Sequence, residues 1–117
     1  MARSVEKIMN DHNDAVRRGN LDEVMADYCA DSFMVTPTGV IKGLDAIRKH
    51  FDNTINNVLT PDVKSEILLL ITEGDVGYAI WRAEGDKFAL PFATDTFVMR
   101  DDKILVQTFA SVPPQKK

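Results

Sequence analysis

Residues Lys87 to Ala110 read KFALPFATDTFVMRDDKILVQTFA, two apolar runs on either side of Arg100-Asp101-Asp102-Lys103. Asp-Asp fits a tight two-residue hairpin turn, although Asp-Gly would be the stronger signal. With Asp101 and Asp102 in the loop, Arg100 pairs with Lys103, Met99 with Ile104, Phe97 with Val106 and Asp95 with Thr108. One face then presents Ala93, Asp95, Phe97, Met99, Ile104, Val106, Thr108 and Ala110. The other presents Phe92, Thr94, Thr96, Val98, Leu105, Gln107 and Phe109. An antiparallel hairpin commonly keeps one face polar. Here both are largely apolar, so two covers are expected, helices on one side and a second copy of the chain on the other. Asp95 stands among apolar neighbours, and a buried carboxylate costs roughly several kcal/mol unless it is paired or protonated. That cost makes Asp95 the most informative residue of the chain.

Working outward, residues 4–18 predict a helix, with Val5, Ile8, Met9, His12 and Val16 on one face. Ser4 is its N-cap and Gly19 its stop. Asn20 caps a second helix with Glu23 three residues on, and Leu21, Val24, Met25 and Tyr28 form its buried stripe to about Ala30-Asp31. Ser32 to Thr36 and Val40 to Lys42 form a short hairpin about Pro37-Thr38-Gly39. Leu44, Ile47, Phe51 and Ile55 space a third helix. Val63 to Thr72 and Val76 to Glu84 are strands, the first apolar from Ile67 to Ile71 and expected to be buried on both faces. The order of helices then strands is α+β, one domain over residues 1–112, with 113–117 a loose tail.

The chain has 117 residues, enough for one core, with 44% hydrophobic and 27% charged residues. A net charge of −4 argues against nucleic acid, which needs a basic patch. The single cysteine, Cys29, excludes an intrachain disulfide and a cysteine-built metal site. No apolar run approaches the ~20 residues of a membrane span, and the charged start MARSVEKIMNDH is unlike a signal peptide, so a cytoplasmic location is expected. His12 and His50 are far apart and no phosphate-binding glycine loop is present, so neither metal nor cofactor is expected.

The segments RRGNLDEVMADYCADSFMVTPTGVIKGLDAIRKHF and TDTFVMRDDKILVQTFA, with the strand order between them, resemble the nuclear transport factor 2-like superfamily in its SnoaL-like and ketosteroid-isomerase-like branch. The resemblance covers nearly the whole chain. It implies a cone, cystatin-like, in which a curved, mostly antiparallel mixed sheet wraps three N-terminal helices and leaves a pocket at the open end. It also implies a homodimer through the outer sheet face. This fold hosts isomerases, cyclases and inert binders alike. Ketosteroid isomerases carry a tyrosine on the first helix, a basic aspartate on the first strand and a protonated aspartic acid on a late strand. By position these fall on His12, Thr36 and Asp95. Threonine cannot act as that base, so steroid isomerisation is not supported.

The resulting expectation is a pocket for a small apolar carbonyl compound, with His12 as acid/base and Asp95 as its orienter or a hydrogen-bond donor. Asp95 would favour the charged imidazole. Tyr28, Thr36, Phe51 and Trp81 would form the walls, with Phe97 and Thr108 on the face of Asp95. Whether Trp81 shares that face depends on the Gly85-Asp86 loop and on a bulge at Pro91. The chemistry would be that of an acid/base isomerase or cyclase. The alternative is a non-catalytic ligand-binding, dimerisation or accessory domain, with His12 a core histidine satisfied by one hydrogen bond. His50 is expected at the surface.

Overall fold

The computed structural model describes residues 2–117. Helix α1, Val5–Arg17, begins where the Ser4 hydroxyl accepts from the Lys7 amide at 3.1 Å, and it buries Ile8, Met9, His12, Ala15 and Val16. Gly19, at φ 68°, turns the chain directly into α2, Leu21–Ala26, whose first turn is capped by Asn20. The sequence expectation carried α2 past Tyr28. Instead Tyr28 opens strand β1, Tyr28–Thr36, because a distant strand competes for this backbone. The Ile104 amide donates to the Asp27 carbonyl at 2.7 Å, and Lys103 Nζ donates to the Ala26 carbonyl at 2.5 Å.

Strand β2, Gly39–Lys42, returns antiparallel to β1, and α3, Leu44–Asn53, buries Ile47 and Phe51. A π-helical turn over Thr54–Val58 leads to four long strands: β3 Lys64–Glu73, β4 Val76–Glu84, β5 Phe88–Arg100 and β6 Lys103–Ser111. The sheet runs β2-β1-β6-β5-β4-β3, antiparallel except for the parallel β1–β6 contact. A last short strand, β7, Gln115–Lys116, pairs with Phe88 and Ala89. The tail expected to be loose is therefore tied to the start of β5. This is the α+β cone of the resemblance, an open curved sheet around three helices.

The helices fill the concave face. Ile8, Met9, Val24, Ile47 and Phe51 pack with Met34, Ala79, Phe97, Met99 and Ile104 in one cluster. Gly77 permits the closest approach, since a β-carbon there would collide with the Met9 thioether.

The β5–β6 hairpin turns where expected. Asp101 and Asp102 both have positive φ, 52° and 64°, as the favoured two-residue hairpin turn requires. Beyond it the register departs from the expectation. Met99 faces Ile104, but Val98 faces Val106, leaving Leu105 as a one-residue bulge. One extra residue exchanges the two faces of β6 from there on. Gln107 is turned inward, opposite Phe97, while Thr108 pairs with Thr96 and Val35 on the outer face.

The expectation that β3 is buried on both faces is also corrected. It is the edge strand, and Ile67, Leu68, Leu69 and Ile71 are 40–53% exposed. Cross-strand register places Val35, Thr108, Thr96, Tyr78 and Ile71 in one row across the outer face.

Candidate functional site

Between α1, α3 and the inner face of β3 to β6 lies a cavity of about 270 Å³. Each strand contributes through its parity. Asp95 on β5 pairs with Ala79, so Trp81, two residues along β4, shares its face, and its partner is Ala93. That pairing exists because the register shifts between Ala83–Leu90 and Trp81–Ala93, a bulge at Pro91-Phe92. The question left open by the sequence is thus resolved with Trp81 beside Asp95. Gln107 and Phe109 arrive from β6 by way of the Leu105 bulge, and the Trp81 and Phe109 ring centroids are 6.1 Å apart.

His12, Phe51, Trp81 and Asp95 all line this cavity. Tyr28 and Phe97 stand behind it, buried, with ring centroids 6.0 and 5.5 Å from that of His12. Thr36 and Thr108, expected as walls, do not line it. The Thr36 hydroxyl bonds Thr38 and the Gly39 carbonyl in the β1–β2 turn, and Thr108 points outward for the reason just given. His50, expected at the surface, is half-buried against Phe51 and lines the mouth with Asn13, Arg17, Asn53 and Thr54.

Burial acts in opposite senses on the charge states of the two principal residues. Burial pushes the Asp95 carboxyl up from 3.8 to about 7, an effect partly offset by the nearby Trp81 indole and Gln107 amide. Burial alone pulls the His12 imidazole down from 6.5 to about 4. Among edges of aromatic rings, His12 is therefore neutral at pH 7, not the charged partner of a carboxylate. Its Nδ1 has no hydrogen-bond partner, and neither does Asp95 Oδ1 or Trp81 Nε1. The Tyr28 hydroxyl, raised well above its ordinary value of 10.0 by burial, stays protonated and donates to Gln107 Oε1. This fixes the amide with its NH₂ end available to Asp95.

The inner wall is thus a greasy surface carrying one neutral imidazole, one indole N–H and one carboxyl that titrates near neutrality. Gln107 is the member that the sequence reading misses. Its one signal is polarity within the apolar run of β6, and only a bulge would have brought it inward. Among the described residues, no group of three His, Cys, Asp or Glu side chains could hold a metal ion, and no helix is long and apolar enough to cross a membrane.

An open curved sheet enclosing three helices and a cavity at its wide end defines the nuclear transport factor 2-like class. Within it the chain belongs to the SnoaL-like domain family, whose profile matches residues 9–107. Among curated proteins none matches the chain. The fold is shared with a nuclear transport factor 2-like protein of unknown function from Cytophaga hutchinsonii, at TM-score 0.79 and 11% identity over 97% of this chain and 94% of that one. It is shared with a protein from Kribbella flavida provisionally named a ketosteroid isomerase, at TM-score 0.78 and 12% identity over 93% and 78% of the two chains. A provisionally named polyketide cyclase from Sinorhizobium meliloti matches at TM-score 0.72 and 17% identity over 88% and 93%. At these identities the likeness concerns the fold.

Proposed function

We propose that this chain binds a small, mostly apolar carbonyl compound and moves a proton at its α-carbon, as an isomerase or cyclase would. The observation that carries this reading is that Asp95 Oδ1 and Trp81 Nε1 share one face of adjacent strands and neither has a hydrogen-bond partner. Both are buried, both are unpartnered, and both stand on the wall of one apolar cavity. A carboxyl near 7 is suited to both taking and returning a proton at neutral pH. The indole N–H would donate to the carbonyl oxygen as charge develops there. Neutral His12 would offer a further hydrogen bond rather than a charge.

Trp81 is the chain's single tryptophan, so its indole N–H gives one resonance that reports the site. Titration with small cyclic and aromatic ketones should move that resonance, and exchange of the ketone α-protons with D₂O should be accelerated. Asp95→Asn should leave the fold intact and slow the exchange roughly 10²- to 10⁴-fold. An indole signal that no ketone moves would defeat the pocket reading. Binding with no accelerated exchange would leave a binder rather than an enzyme.

A second reading, a dimerising domain, is favoured by the outer sheet face and is compatible with the first. Val35, Leu69 and Ile71 are 41%, 40% and 53% exposed there, with Thr108, Thr96 and Tyr78 in the row between Val35 and Ile71. A second copy of the chain covering this face would bury them, a stable interface taking about 800 Å² per partner. Ile71→Glu should convert a dimer into a folded monomer in sedimentation velocity. An unchanged sedimentation coefficient would remove this face from the interface.

A further inference from the structure

The cavity's charge is distributed unevenly along its depth, and this bears on what enters it. Asp95 is its one carboxylate and lies at the inner wall. Arg17 is its one permanently charged cation and lies at the mouth, beside Asn13, Asn53 and Thr54. Helix α1 spaces Arg17 from His12, which lines the cavity with Asp95. His12 and Val16 lie one turn apart on its buried face, and Arg17 follows Val16. Five residues of helix advance about 7.5 Å, the length of one substituted ring.

Arg17 is also free to take a partner. Its contact with Asp14 is long, 3.7 Å, whereas Asp14 is held at 2.9 Å by Arg18. Both Arg17 and Asp14 are more than half exposed, and such a pair is worth little.

We propose that the ligand is an amphipathic carboxylate, its carbonyl or hydroxyl against Trp81 and Asp95, its apolar body in the cavity, and its carboxylate on Arg17. This rests on the pocket reading above and adds the substrate class and the orientation. The reverse orientation would take an anion out of water beside Asp95 with no cation to meet it, and an unpaired buried charge is strongly disfavoured. With the carboxylate at the mouth, the planar guanidinium can bind it through two parallel hydrogen bonds while both remain partly hydrated.

The test compares 4-acetylbenzoate with its uncharged methyl ester, each titrated against the Trp81 indole resonance. The wild-type protein should prefer the acid. In Arg17→Gln that preference should shrink about five- to tenfold with ester binding unchanged. Arg17→Lys should restore part of it, and 0.5 M salt should weaken it in the wild type. Equal affinities for acid and ester in both wild type and Arg17→Gln would overturn the inference and leave the pocket reading standing. An indole resonance that neither compound moves would overturn both.

Discussion

Replacing His12 with leucine is expected to make the protein's stability fall, relative to wild type, by about 3 kcal/mol as pH rises from 4 to 6.5. The reason is a cancellation inside the cavity. The folded-state value of Asp95 is raised from 3.8 to about 7, so over that window the folded chain holds a proton that the unfolded chain has released. Its contribution is fully present below 3.8 and is lost as pH rises through about 7, on the order of 4 kcal/mol in all. His12 is displaced in the opposite sense, from 6.5 to about 4, so the unfolded chain binds the extra proton. Its contribution is present above 6.5 and is lost as pH falls through about 4. Between pH 4 and 6.5 the two slopes oppose each other, and the wild-type profile is flattened.

Removing either residue exposes the slope of the other. His12→Leu should reveal the downward slope of Asp95, and Asp95→Asn the upward slope of His12. Urea denaturation at half-unit pH intervals measures both slopes in the variants' own profiles, and the difference of each variant from wild type, in which the exposed carboxylates and the retained group cancel, gives the removed residue's own term. Parallel profiles for wild type and His12→Leu from pH 4 to 7 would mean that the imidazole is not held neutral by burial. The same comparison bears on function, because a site with Asp95 near 7 and His12 near 4 has one group, not two, able to exchange protons at working pH.

The parts of this site legible in the sequence are those governed by local chemistry. Asp95 stands out because a carboxylate in an apolar strand has few inexpensive explanations. His12 falls on the buried face of α1 by helical spacing alone. The Asp101-Asp102 turn is readable because aspartate tolerates positive φ. What the sequence conceals is the register beyond the turn. The Leu105 bulge carries no glycine or proline, yet it decides that Gln107 rather than Thr108 meets Asp95. Tyr28 is misread for a related reason. Its backbone is claimed by β6, seventy-six residues later, so a helical pattern of side chains ends in a strand. The Pro91 bulge differs from these, since proline marks it, and only its consequence for Trp81 is hidden in the sequence. The charge state of His12 is likewise a property of assembly. A cavity shared with an acid suggests a cation, but the rings of Tyr28, Phe51 and Phe97 surround the imidazole and burial is the one cause of its shift.

Phe97→Ala is expected to cost about 3–5 kcal/mol, a large part of the roughly 5–15 kcal/mol available to a domain of this size. The sequence assigns Phe97 to the ligand pocket, on the face of Asp95, and the structure separates the face from the cavity. The side chain is 1% exposed and packs in the central cluster behind His12, with ring centroids 5.5 Å apart. Deleting a ring enclosed on every side loses its transfer free energy and leaves a void that the sheet and α1 cannot close. Deleting a ring that already faces open space loses less, because part of its surface has no packing to forfeit. Denaturant titration separates these cases. A fall in midpoint at unchanged slope, worth at least 3 kcal/mol by the usual cost of such a truncation (about,), places Phe97 in the support behind the site. A cost under about 1.5 kcal/mol together with a loss of ketone affinity would return it to the wall. The distinction matters for the chemistry as well. Phe97 holds the ring of His12 from behind, so its removal should also let water reach the imidazole and move its titration back toward 6.5, visible in the His12 ring protons.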